Sequence, residues 1–192
     1  LNEFVGKERI SSFYSDNALE LIKAARLKGI LNPTATTGMP QTNGLAEGKV
    51  RTVKEGTTVN LLRVGFTPSH YWLDCMRHFC TARNIHKDSD GNSSYSKRHG
   101  KHGIADFAGL RLPFGTEVFF MLVPSKLEAH APFTPKMDKG LFAGYHMQPG
   151  GIWSGDYLVY PTNDFEWDSP TKRWGGVNAQ RTKEVFHDPN HG

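Results

Sequence analysis

Two periodicities divide the chain. Up to about residue 86 most apolar positions recur at helical spacing, and from about residue 104 onward they alternate. A helix returns a side chain to one face every three or four residues and a strand every two, so the change marks a change of element. An exception near the start is 9–14, where Ile10 and Tyr14 share one face and Phe13 takes the other. It reads as a short strand running into the polar Ser15-Asp16-Asn17. Over 18–28, Leu19, Ile22, Ala24 and Ala25 follow a helical period. Gly29 is the expected stop, because glycine adopts the left-handed conformation that ends helices. Ile30 and Leu31 begin a second short strand, and 32–44 collects Pro33, Gly38, Pro40, Asn43 and Gly44, which is loop composition.

The pattern Leu45, Val50, Val53, Leu61, Leu62, Val64 predicts a long helix over about 43–64, capped by Thr42 or Asn43. Gly48 and Gly56 interrupt it. Each interior glycine costs about 1 kcal/mol relative to alanine, so this helix needs tertiary packing. A second helix is predicted over 68–85, with Pro68 in its first turn and a buried stripe of Trp72, Leu73, Met76, Phe79 and Cys80. Residues 87–103 are polar and rich in glycine and serine, with a basic run at 97–102, and are expected to be a linker. Beyond it, strands are predicted over 117–123, 140–146, 156–160 and 183–186. The fold class is therefore α/β in 1–86, followed after 87–103 by a small, mostly β domain over 104–192. The start at Leu1, without an initiator methionine or a signal-peptide pattern, leads to the expectation of a piece cut from a longer protein.

Composition narrows the chemistry. With 23 Lys and Arg against 19 Asp and Glu, the net charge is +4, which permits a polyanionic partner without requiring one. Two cysteines, Cys75 and Cys80, exclude a disulfide scaffold, do not match zinc-knuckle spacing and are expected as buried thiols. His70, His78 and His86 are eight apart and form no i, i+4 pair, so surface or partly buried histidines are expected rather than a zinc site. No apolar run approaches the roughly 20 residues that span a bilayer, and no membrane partner is expected. Neither a Gly-x-Ser-x-Gly elbow nor a Gly-Lys-Ser/Thr phosphate loop is present, and 148–151 reads as a turn. The 97–102 run could contact phosphates or be a solvated linker. Trp153, Trp167 and Trp174 could stack on bases or fill a core.

The sharper candidates are carboxylates. Asp16 follows a strand and Glu47 lies in the first turn of the long helix, 30 residues further on. A strand-end Asp and a helix-start Glu can converge to hold Mg²⁺ or Mn²⁺, hard ions that take oxygen ligands and bridge to phosphates. Arg51 and Lys54, at i+4 and i+7, share the face of Glu47 and would suit DNA beside the metal. An alternative stands beside this one: Asp16 caps the following helix, and Glu47 favours a helix N-terminus and pairs with Arg51 on a solvated face.

Several strings carry a resemblance. Phe-Tyr-Ser-Asp-Asn-Ala-Leu-Glu-Leu (13–21) and Gly-Met-Pro-Gln-Thr-Asn-Gly-Leu-Ala-Glu-Gly-Lys-Val-Arg-Thr-Val-Lys-Glu-Gly (38–56) resemble the integrase core of copia-type LTR retrotransposons. Tyr-Trp-Leu-Asp-Cys-Met (71–76), Pro-Phe-Gly-Thr-Glu-Val (113–118), Lys-Gly-Leu-Phe-Ala-Gly-Tyr (139–145) and Thr-Lys-Glu-Val-Phe (182–186) extend it over nearly the whole chain. The resemblance implies the C-terminal part of an RNase H-like core whose Asp, Asp, Glu triad binds Mg²⁺ or Mn²⁺ and joins element ends to target DNA. Asp16 matches the second Asp and Glu47 the Glu, while the first Asp has no counterpart. The spacing between the two acids is shorter than usual in that family, and Gly48 stands where it usually has Arg or Lys. Gln41 and Asn43 match a loop near the DNA. The family further implies a nuclear location and a homo-oligomer of the full-length protein. A chain lacking the first ligand is expected to be inactive alone. The rival expectation is a non-catalytic nucleic-acid-binding or assembly module derived from a decayed or domesticated element.

Overall fold

The computed structural model describes residues 2–35, 44–65, 68–104, 106–122, 136–165 and 177–188. By contact the chain divides into Leu1–Glu55 with Gln148–Gly151, and Gly56–Met147 with Ile152–Gly192.

The first unit opens with α1 (Asn2–Val5) and then forms a strand–helix–strand crossover. Ser12 bridges Leu31 and Ser15 bridges Thr34, both in parallel. The Phe13 N–H donates to the Leu31 carbonyl at 2.7 Å and the Ala35 N–H to the Ser15 carbonyl at 2.9 Å. Pro33 has no N–H to give, so the ladder is broken into isolated bridges rather than the regular strands expected. Between its two halves lies α2 (Leu19–Leu27), as parallel pairing requires of its connection. It ends as its glycine predicts. Gly29 has φ 63°, the Ile30 N–H reaches back to the Ala25 carbonyl and the Gly29 N–H to the Arg26 carbonyl, which is a Schellman closure. α3 (Gly44–Val64) runs from this unit into the next; its expected caps, Thr42 and Asn43, lie outside the described residues.

In the second unit α4 (Pro68–Ile85) has the bounds its pattern predicts but buries a different face. Tyr71, Cys75, His78 and Ile85 are buried, whereas Trp72 is 48% exposed and Leu73 39%. The stripe shifts by about one residue because Tyr71 and His78 are amphipathic and both polar ends find partners. The Tyr71 hydroxyl accepts from the Val177 N–H, and His78 Nε2 meets the Leu112 carbonyl at 2.9 Å. Gly56 of α3 lets the two helices touch: a Cβ there would lie 2.1 Å from the Phe79 ring.

Residues 87–103, expected as a linker, are packed into this unit. A Ser93/Ser96 capping box starts α5 (Ser94–His99), and Tyr95 and His99 are buried. The alternating segments form β1 (Glu117–Met121), β2 (Met137–Gln148), β3 (Ile152–Pro161), β4 (Gln180–Thr182) and β5 (Val185–Phe186), in the order β4-β3-β2-β1-β5. The pairings of β1 with β2 and β5, and of β3 with β4, are antiparallel. Of the strand expected over 183–186 only Val185 and Phe186 form one, at one edge, while Gln180–Thr182 form the opposite edge. A flat five-stranded sheet at about 4.8 Å per strand would hold those edges roughly 19 Å apart, yet only Lys183 and Glu184 join β4 to β5, a span of about 11 Å. The sheet must therefore curl until its edges meet, and the Thr182 hydroxyl does bond the Met121 carbonyl across that seam at 3.2 Å. One core cluster gathers Val118, Phe120, Phe142, Tyr145, Tyr157 and Val159 of the sheet with Ile85, Tyr95 and Phe107; in a second, Ala143 and Tyr160 pack with Leu61, Tyr71 and Cys75 of the helices.

Candidate functional site

Asp16 stands one residue past the last paired residue of the first parallel strand, at its C-terminal end, the end at which open α/β sheets bind ligands. It is exposed, and its Oδ1 accepts the Ala18 N–H at 3.3 Å. This closes a local Asx turn and does not reach deeper into α2, whose N-cap, Ala18, has no side-chain cap. Capping thus accounts for one bond of this carboxylate. The backbone around it is held more firmly: the Ser15 hydroxyl donates to the Asp16 carbonyl at 2.8 Å, and Asn17 Nδ2 to the Ala35 carbonyl at 2.9 Å.

Glu47 lies in the first turn of α3, where the helix dipole favours an anion. Glu47, Arg51 and Lys54 share one face and, with Ala46, Val50 and Glu55, line an open recess of about 530 Å³. Asp16 does not line it. Glu55 was missing from the sequence-derived set, although its position one turn beyond Arg51 was available as a signal. With two carboxylates facing two cations, the recess is formally neutral. Preference for a polyanion there would come from arrangement rather than from net charge. Gln41 and Asn43 lie outside the described residues.

The donors suit a hard divalent ion, since Asp16 and Glu47 offer carboxylate oxygens and such ions keep several waters beside one or two carboxylates. Among the described residues, no three His, Cys, Asp or Glu side chains cluster closely enough to hold an ion. The two carboxylates suit such an ion by donor type, and the described residues do not gather a ligand set around them.

The other sequence-derived candidates belong to the second unit's architecture. Lys97 pairs with Asp88 at 2.8 Å, and hydrogen bonding from Lys97 holds the Asp88 carboxyl below its ordinary range. His99 packs edge-on to Tyr95 at 4.7 Å. Lys97 and His99 of the basic run are therefore engaged in the fold. Trp153 packs against the core cluster of the sheet, while Trp167 and Trp174 lie outside the described residues. Cys75 is a buried free thiol, pushed up to about 11 by desolvation, and Cys80 is a half-buried one. No described helix is long and apolar enough to cross a membrane.

The chain matches no family model and no curated protein.

Proposed function

We propose that this chain is part of a copia-type retrotransposon integrase, comprising the C-terminal portion of an RNase H-like core and a small β domain. The observation that carries the reading is the order of parts in the first unit. A parallel strand ends at Asp16, a crossover helix and a second parallel strand follow, and then comes a long helix with Glu47 in its first turn and Arg51 and Lys54 along its face. The pairing of 11–15 with 31–35 supports an α/β core, because it is parallel and bridged by a helix. Asp16 and Glu47 would hold Mg²⁺ or Mn²⁺ together with a first Asp that has no counterpart in this sequence. The ion supplies charge neutralisation at a phosphodiester and activation of the attacking oxygen. Arg51 and Lys54 hold the DNA strand by its phosphates, and Glu47 and Asp16 orient the donor oxygens. The full-length protein acts in the nucleus as a homo-oligomer on element ends and target DNA.

One observation favours the rival class, a nucleic-acid-binding module without catalysis: the recess formed at Glu47, Arg51 and Lys54 is not lined by Asp16. Duplex-DNA affinity of the chain as a function of salt tests what the two readings share. Each of Arg51→Ala and Lys54→Ala should lower the slope of log K against log salt by about one. Slopes equal to wild type in both variants would overturn DNA binding by this face. Mn²⁺ binding separates the two readings: weakening by Glu47→Gln and Asp16→Asn supports the integrase site, and indifference to both supports the module.

A further inference from the structure

The parallel ladder that ends at Asp16 has a gap, and a side chain fills it. Where Pro33 cannot donate, Asn32 Nδ2 bonds the Phe13 carbonyl at 2.7 Å and also the Ser15 hydroxyl at 3.1 Å. Both amide hydrogens are thereby used. A flipped amide would set Oδ1 against a carbonyl oxygen, so the orientation is fixed by its partners. Asn32 Oδ1 is buried without a partner among the described residues, the cost of that orientation. Ser15 is itself buried and passes the chain of hydrogen bonds on to the Asp16 carbonyl.

We propose that Asn32 is a positioning residue for Asp16, supplying through its side chain the rung that proline removes and so holding the strand end that carries the carboxylate. The proposal rests on the reading of Asp16 as a metal ligand. A residue of different length or polarity does not replace Asn32. Asp has no donor to offer, Ser has one instead of two, and Gln is a methylene longer. Without these bonds the Phe13 carbonyl and the Ser15 hydroxyl lose their donor, and the rung next to Asp16 loosens.

The test uses the full chain labelled with ¹⁵N and titrated with Mn²⁺ alone, reading paramagnetic broadening of the Asn17 and Ala18 amide signals. Hydrogen-exchange rates of the Phe13, Ser15 and Ala35 amides are read in parallel. Asn32→Ala should raise the Mn²⁺ midpoint about tenfold, the low end of what loss of an outer-shell partner does to metal affinity. It should also speed exchange at Ser15 and Ala35. The double variant Asn32→Ala/Pro33→Ala regains a backbone N–H opposite the Phe13 carbonyl and should return both readouts toward wild type. An unchanged Mn²⁺ midpoint in Asn32→Ala, with or without faster exchange, overturns the positioning role, as does a double variant no better than the single. Asp16→Asn tells the two failures apart. If it leaves broadening unchanged, Asp16 is no ligand and the proposal falls with the site reading. If it abolishes broadening while Asn32→Ala does not alter it, the proposal alone falls.

Discussion

Gly48 and Gly56 lie eight residues apart on one helix and differ in what a side chain would meet there. A Cβ at Gly48 meets no described atom within 4 Å, so Gly48→Ala should stabilise α3 by about 0.5–1 kcal/mol through lower backbone entropy in the unfolded chain. At Gly56 the same change drives a methyl into the Phe79 ring, and overpacking of this kind costs about 1–3 kcal/mol. Chemical denaturation of both variants checks the opposite signs, and Phe79→Leu should relieve part of the Gly56→Ala penalty.

His78 adds a pH dependence. Its ring is packed against Phe114, Phe142 and Tyr145, and desolvation holds its pKa below the ordinary 6.5; Arg63 pushes the same way and the Leu112 carbonyl opposes. Because the unfolded chain takes the proton first as pH falls, this contribution is complete above about 6.5 and is lost as pH drops toward the folded value. Asp106 and Asp156, whose carboxyls are held below 3.8 chiefly by hydrogen bonds from Lys87 and Arg181, lose their contributions only at lower pH. Between pH 7 and 5 the melting temperature should therefore fall, and His78→Gln should flatten that limb. An equally steep limb in the variant would remove His78 as its source.

At the scale of elements, α4 is tied to the sheet by one deep polar contact. The Tyr160 hydroxyl donates to Asp74 Oδ2 at 2.7 Å, and both burial and that bond raise its pKa. Tyr160→Phe should cost about 1.5 kcal/mol. That is the low end for a hydrogen bond to a charged group, because Asp74 stays partly exposed with Arg77 at 3.8 Å. Stability of the variant, set against Asp74→Asn and the double variant, measures the coupling.

What the sequence made legible at this scale was whatever is decided locally. The ends of α2 and α4 follow from Gly29 and Pro68, and the β periodicity from alternation over 117–160. The face of α4 was not legible, because Tyr71 and His78 count as core only once Val177 and the Leu112 carbonyl are near. Nor was α5, a six-residue helix with a polar surface anchored by Tyr95. The placing of 180–182 and 185–186 on opposite edges depends on closure of the sheet, a property no short window contains. The place of Asp16 after a strand and of Glu47 in the first turn of α3 was legible, since both are element positions. Asn32 was not, since its role exists only when the strand containing Pro33 pairs with that of Phe13.

Across the whole molecule, burial is uneven in a way that bears on where a ligand would act. The second unit buries Phe114, Phe120, Phe142, Val159 and Tyr160 almost completely, while Ala25 alone is a buried hydrophobic residue among the described residues of Leu1–Glu55. Local stability follows buried apolar contact, so the Phe13, Leu31 and Ala35 amides should exchange on the order of a hundredfold faster than those of Phe142 and Val159. Equal protection in the two sets would show that the first unit is stabilised by something other than its own apolar burial. A ligand that binds only the folded form adds about 2.7 kcal/mol at a hundred times its dissociation constant. If duplex DNA engages the helix face of Glu47, Arg51 and Lys54, saturating DNA should slow exchange in 11–35 and 44–55 and leave the amides of the five-stranded sheet unchanged. Slowing confined to that sheet would instead move the DNA-binding surface to the second unit and leave Arg51 and Lys54 on a solvated face.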